Sequence, residues 1–149
     1  MKRAIRDFEL YCRKNRLRIT APRVHAYEIV LGEKKPVTAY DVLNKLGKHL
    51  DNPKPPTAYR ALDFLTQHGF IHRIESLNAY VPCTTDHKHT GSQFLICKEC
   101  GRVEDVHLCT IPPSLDKKIL SAAFKPEYWN FEVNGLCSRC SKANAINPQ

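Results

Sequence analysis

Two Cys-x-x-Cys knuckles, Cys97-x-x-Cys100 and Cys137-x-x-Cys140, constrain this chain more than any other feature. Each spacing turns two thiolates toward one ion. Four soft ligands then fill the tetrahedral shell of Zn²⁺ with no open position. A site closed in that way holds structure together and does no chemistry, so function is to be sought elsewhere. Four thiolates would also suit iron. Neither motif sits in a βαβ pattern, which argues against a thioredoxin-like redox pair. The separation between the knuckles exceeds that of a zinc ribbon because a helix and a strand are predicted between them.

The cysteine count is seven, an odd number. Basic residues at the N-terminus, Met1-Lys-Arg-Ala-Ile-Arg-Asp7, are not followed by an apolar run, so neither a secretory signal nor a membrane span is expected. Together these features point to a reducing cytoplasm, with metal and thiols in place of disulfides. A chain of 149 residues suits one average domain or two small ones with thin cores. A structural metal is the usual remedy for a thin core.

The net charge of +8 is unevenly placed. Residues 1–82 carry 15 Lys/Arg against 8 Asp/Glu, whereas residues 83–149 carry 8 against 7. The basic half is the one without knuckles, which suggests a polyanion partner. Its pattern predicts a helix over 2–15, with Ile5, Phe8 and Cys12 at helical spacing. Thr20 reads as the N-cap of a second helix, with Pro22 in its first turn, running to about Leu31. Thr38-Ala-Tyr-Asp41 has capping-box spacing and opens a third helix with Val42, Leu43 and Leu46 inward. Pro53-Lys-Pro-Pro-Thr57 breaks the chain and caps a last helix ending near Gly69. Strands over Ile71–Glu75 and Ala79–Pro82 join across Ser76-Leu77-Asn78. Helices closing on a strand pair make a winged helix-turn-helix pattern, whose last helix would enter a major groove. A small helical protein-binding domain is the alternative.

Residues 83–93 read as a polar linker. Beyond it, 94–149 reads as an αβ unit: strands Phe94–Cys97 and Val103–Leu108, a helix over Ser114–Phe124 with Leu115, Ile119 and Ala122 on one face, and a strand over Tyr128–Val133. Asn134-Gly135 would turn into the second knuckle, and 141–149 would be a frayed tail. So small a unit cannot bury both sheet faces alone, which implies pairing with a second copy. The fold class is therefore α+β: a winged-helix domain over 1–82, a linker, and a small αβ dimerisation domain with a four-cysteine zinc site.

A second cluster comprises His72, Cys83, His87, His89, Glu104 and Asp105. Imidazole, thiolate and carboxylate together suit Zn²⁺ better than Mg²⁺ or Ca²⁺. Donors spread over wing, linker and second domain would favour one arrangement of the domains when metal binds. Lys14, Arg16, Arg18 and Arg23 are candidate phosphate contacts. Thr57, Tyr59 and Arg60 open the recognition helix. There Arg60 can bridge guanine O6 and N7, and Tyr59 can meet a thymine methyl, a phosphate or the protein's own core.

Arg18-Ile-Thr-Ala-Pro-Arg23, Pro56-Thr-Ala-Tyr-Arg-Ala-Leu-Asp-Phe-Leu65, Gly69-Phe-Ile-His72, Tyr80-Val-Pro-Cys83 and Cys97-x-x-Cys100-Gly carry a resemblance over about residues 10–142. The pattern resembles the ferric uptake regulator family and, within it, the zinc uptake regulators. The resemblance implies a homodimeric, metal-dependent repressor of zinc-uptake genes. Its winged helix would read palindromic double-stranded operator DNA. Two Zn²⁺ per subunit are implied, one structural and one regulatory. The regulatory ligands implied are His72, Cys83, His89 and Asp105, with His87 and Glu104 as substitutes. An iron or peroxide sensor of the same family and a zinc-stabilised protein-interaction module remain rivals. A zinc deaminase would need His-x-Glu before Pro-Cys-x-x-Cys, and neither occurs.

Overall fold

The computed structural model describes residues 1–83, 91–106 and 110–146. The chain divides into two compact units, Met1–Asp86 and His87–Gln149. Cys83 belongs to the first unit, and residues 91–93, read from sequence as linker, are strand.

The first unit is built from four helices and a small sheet. Helix α1 (Lys2–Lys14) buries Phe8 and Cys12 completely. Helix α2 (Ala21–Gly32) follows Thr20, whose backbone is extended as an N-cap requires, but whose side chain makes no capping bond. Pro22 in the first turn is pre-shaped for the helix and has no N–H to satisfy. Strand β1 (Val37–Thr38) leads into α3 (Ala39–Leu46) through a complete capping box. Asp41 N–H donates to Thr38 Oγ1, and Thr38 N–H donates to Asp41 Oδ2, both at 3.1 Å. These reciprocal bonds satisfy two of the amide donors that a helix start leaves open.

Helix α4 (Pro55–Gln67) begins three residues earlier than a Thr57 cap would place it. Its N-cap is Lys54, with Pro55 and Pro56 at the first two positions. Two prolines remove two amide donors and fix φ, so no capping side chain is needed. Gly69, at φ 75°, ends the helix, where Phe70 N–H donates to Leu65 and Gly69 N–H to Thr66. That paired arrangement is a Schellman motif, and the positive φ is why glycine stands there. Phe70 is thereby turned onto Phe8, Tyr11 and Tyr27. Strands β2 (Ile71–Ile74) and β3 (Ala79–Pro82) form the wing, with β1 on the far edge of β3. Val42, Leu46, Ala58, Leu62, Leu65 and Ile71 fill the core beneath.

The second unit contains β4 (Gly91–Cys97), β5 (Val103–Asp105), α5 (Pro113–Ser121), β6 (Trp129–Gly135) and α6 (Ser138–Ile146). The sheet order is β5-β4-β6. Strand β4 pairs antiparallel with β5 and parallel with β6. Trp129 lies over Gly91 so closely that a Cβ there would come within 2.2 Å of the indole. Asn134-Gly135 is the end of β6 and not a turn, and 141–146 is helix where a frayed tail was expected. Among the described residues, no helix is long and apolar enough to cross a membrane.

Candidate metal centre and nucleic-acid face

Parallel pairing of β4 with β6 places Cys97 opposite Gly135, one residue before Leu136 and two before Cys137. Strand register thus brings two knuckles that are distant in sequence to the same end of the sheet. The first knuckle is a tight turn: Gly101 N–H returns to the Cys97 carbonyl and Cys97 N–H donates to Arg102, each at 2.9 Å. Helix α6 starts at Ser138 and carries Cys140 on its first turn.

The sulfurs of Cys97, Cys100, Cys137 and Cys140 all lie within 4.8 Å of one another. Cys100 Sγ and Cys137 Sγ are 3.8 Å apart. Four Zn–S bonds of about 2.3 Å in a tetrahedron give an S···S edge of about 3.8 Å, whereas a disulfide needs about 2.05 Å. The spacing fits a four-thiolate ion, and no disulfide joins the described cysteines. Backbone amides prepare the charge. The N–H groups of Cys100 and Cys137, then Glu99, bring the Cys97 thiol down to about 6. The Arg102 amide lowers Cys100 as well. Cys140 moves the other way, to about 12, chiefly because Cys137 and then burial disfavour a further anion. A divalent cation reverses that opposition and deprotonates every ligand. Arg139, inside the second knuckle, bonds the Cys100 thiolate, a contact that its place in Cys-Ser-Arg-Cys hints at only by proximity.

The residues expected to form the second metal site divide between the units. His72 lies on β2 opposite Val81. Cys83 lies just past β3, where its N–H donates to the Phe70 carbonyl at 3.0 Å. Both therefore sit at one end of the β2–β3 pair. Tyr27 on α2 is pushed up to about 12, first by burial and then by the charges of Cys83 and Asp7. In the other unit, Glu104 stands opposite Leu95 and Asp105 opposite Phe94, so the two carboxylates point to opposite faces of the sheet. Glu104 pairs with Arg102 at 3.4 Å on the exposed face, while Asp105 shares the face of buried Phe94. His87 and His89 lie outside the described residues.

Helix α4 turns Ala58, Ala61, Leu62 and Leu65 inward and leaves Tyr59 and Arg60 outward. Tyr59 is 51% exposed and takes no part in the buried core. Thr57 is half-buried in the first turn. Lys14, Arg16 and Arg18 are placed at the end of α1 and in the segment after it, where Arg16 takes a left-handed φ of 56°. Arg23 differs from them. Its guanidinium lies 3.5 Å over the Phe64 ring centroid, and its Nη1 donates to the Arg18 carbonyl. Neither periodicity nor charge pattern carries a signal of this stacking.

Comparison with known proteins fits this architecture. The ferric uptake regulator family model matches residues 14–133. The zinc uptake regulation protein of Escherichia coli K12 is 32% identical over 139 residues, covering 92% of this chain and 81% of that protein. A zinc uptake regulator solved in complex with zinc and DNA superposes with a TM-score of 0.89 at 30% identity, over 97% of each chain. The crystal structure of holo XcZur superposes at 0.81 with 34% identity, over 93% of this chain and 96% of that one. A family match over most of the sequence, joined to a winged helix and a four-thiolate cluster at the expected residues, places this chain in the ferric uptake regulator family.

Proposed function

We propose that the chain is a zinc-responsive transcriptional repressor, not an enzyme, which acts in the cytoplasm as a homodimer on palindromic operator DNA controlling zinc uptake. The carrying observation is the likeness, over 97% of the chain, to a regulator bound to both zinc and DNA. Outward Tyr59 and Arg60 on α4 support base reading, with Thr57 beside them and Lys14, Arg16 and Arg18 as proposed phosphate contacts. Dimerisation is supported by an exposed apolar patch on the sheet of the second unit. Leu95 and Val133 are register partners there, 44% and 59% exposed, adjacent apolar side chains that a second copy would cover.

Two zinc ions per subunit are proposed. Cys97, Cys100, Cys137 and Cys140 hold the structural one. The regulatory ion takes His72, Cys83, His89 and Asp105. The placement of Asp105 away from the Arg102–Glu104 pair supports it over Glu104. A thiolate at Cys83 favours zinc over the harder ions that nitrogen and oxygen ligands suit. Because the donors come from both halves of the chain, loading this ion couples to their arrangement and raises operator affinity. Linkage then requires operator DNA to tighten zinc binding by the same factor.

Operator binding with Zn²⁺, Fe²⁺ or Mn²⁺ loaded under buffered conditions tests the reading. Tight binding with zinc alone is expected, falling steeply with salt. Equal response to iron would favour an iron sensor, and no sequence-dependent binding with any metal would favour an interaction module. Cys83→Ser should keep the fold and the structural ion yet lose most of the zinc response, read by metal titration beside circular dichroism.

A further inference from the structure

The candidate DNA contacts sit on two different elements. Lys14, Arg16 and Arg18 lie at the end of α1 and in the segment after it, whereas Thr57, Tyr59 and Arg60 lie on α4. Phosphate contacts set the register in which base contacts read sequence, so a specific surface needs both groups at fixed separation. Arg23, in the first turn of α2, touches both. It donates to the Arg18 carbonyl on one side and stacks on Phe64 on the other.

Phe64 is on α4, about one turn beyond Arg60, and is 8% exposed. Phe8 meets its ring edge-on at 6.5 Å between centroids, and His68 packs at 4.5 Å. A ring held on several sides moves only with its helix, so the guanidinium grips α4 itself. Its hydrogen bond to Arg18 ties down the segment that turns at Arg16 through a left-handed residue. Stacking also uses the face of the planar guanidinium, which an ammonium group cannot reproduce.

We propose that Arg23 is a positioning residue of the DNA-reading surface and not a phosphate contact: through Phe64 and the Arg18 carbonyl it locks the basic segment and the recognition helix in one register. The inference rests on the DNA-binding reading above. The test uses full-length zinc-loaded protein, the duplex that wild-type protein enriches from a randomised pool, and a scrambled duplex of equal length. Arg23→Lys keeps the charge and loses the planar fork. Its affinity for the enriched duplex should fall about tenfold, because an ammonium keeps the charge but loses the flat stack on Phe64. Its affinity for the scrambled duplex and its salt slope should stay at wild-type values. A mere loss of folded protein would lower both affinities together.

Phe64→Leu should reproduce the pattern from the other side of the contact, which also keeps the test decisive if Arg23→Lys folds poorly. The double variant should lose no more than the worse single one, because each removes the planar stack between Arg23 and Phe64. Retained operator preference in Arg23→Lys, with a salt slope reduced by about one in Arg23→Ala, would assign Arg23 to a phosphate and overturn the proposal. Additive losses in the double variant would overturn it as well. Wild-type protein that enriches no duplex would instead refute the DNA-binding reading itself, a distinct result.

Discussion

The two units of this protein are held together by different physics. The first buries Phe8, Val30, Val42, Leu46, Leu62, Leu65 and Ile71 almost completely, on elements that meet from four helices and a sheet. In the second, full burial among the described residues is confined to β4, where it includes Ser92 and Gln93, and α5 buries no residue fully. Apolar burial contributes about 1.5–3 kcal/mol per large side chain, so the first unit has ample resources to fold and the second has few. In the proposed account, zinc at the four thiolates and a partner on the Leu95–Val133 side would supply what the second lacks. The unit proposed to read DNA is thus rigid by packing, while the unit proposed to dimerise would owe its order largely to an ion.

The largest effect should follow from removing that ion. Structural zinc sites contribute apparent binding free energies of about 10–16 kcal/mol in zinc-finger peptides, as much as the whole stability of a domain. Cys97→Ser is expected to unfold the second unit or abolish dimerisation while the first keeps its helices. Trp129, the single tryptophan, lies on β6 and reports the second unit by its emission. Most helical circular dichroism comes from α1 to α4. Simultaneous loss of both signals would break the contrast.

A core substitution in the first unit should act in the opposite sense. Leu62 is 0% exposed at the centre of α4, and Leu62→Ala should destabilise its unit by about 2–5 kcal/mol. Zinc stoichiometry at the four thiolates should not change. Denaturant unfolding followed by helicity, beside metal analysis, checks both halves of the expectation.

This contrast also explains what was legible in the sequence. The first unit declares itself because helical periodicity, the capping box at Thr38–Asp41 and Gly69 are local signals that tertiary packing confirms. The knuckles were legible because zinc demands fixed ligand types and spacing. Strand β1 was not, since two residues leave no alternation to read. The start of β4 was hidden for another reason. Gly91, Ser92 and Gln93 look like loop, yet β6 pairs with them and Trp129 covers Gly91. Helix α6 carries little apolar patterning and follows from the geometry of the second knuckle. Arg23 looked like one more basic residue, because stacking between residues 41 positions apart leaves no mark on either segment.

The smallest effect sharpens the picture of local order within the stronger unit. Thr38→Ala removes the capping box of α3 and should cost about 1 kcal/mol. The Thr38 side chain, then its backbone N–H, holds the Asp41 carboxyl below its ordinary value. A depressed carboxylate stabilises the fold above its unfolded-state pKa and loses that contribution as pH falls through the lowered folded value. Wild type should therefore lose stability on acidification more than Thr38→Ala does, and denaturant midpoints over the acid range measure the difference.

The central claim is that a reversible ion, separate from the four-thiolate ion, controls DNA affinity. The direct measurement is operator affinity of wild type and Cys83→Ser across buffered free zinc, with one zinc per subunit retained throughout at Cys97, Cys100, Cys137 and Cys140. Wild type should tighten sharply as a second zinc per subunit binds, while Cys83→Ser stays weak and binds one. Equal affinity of the two proteins at every zinc level would contradict the account.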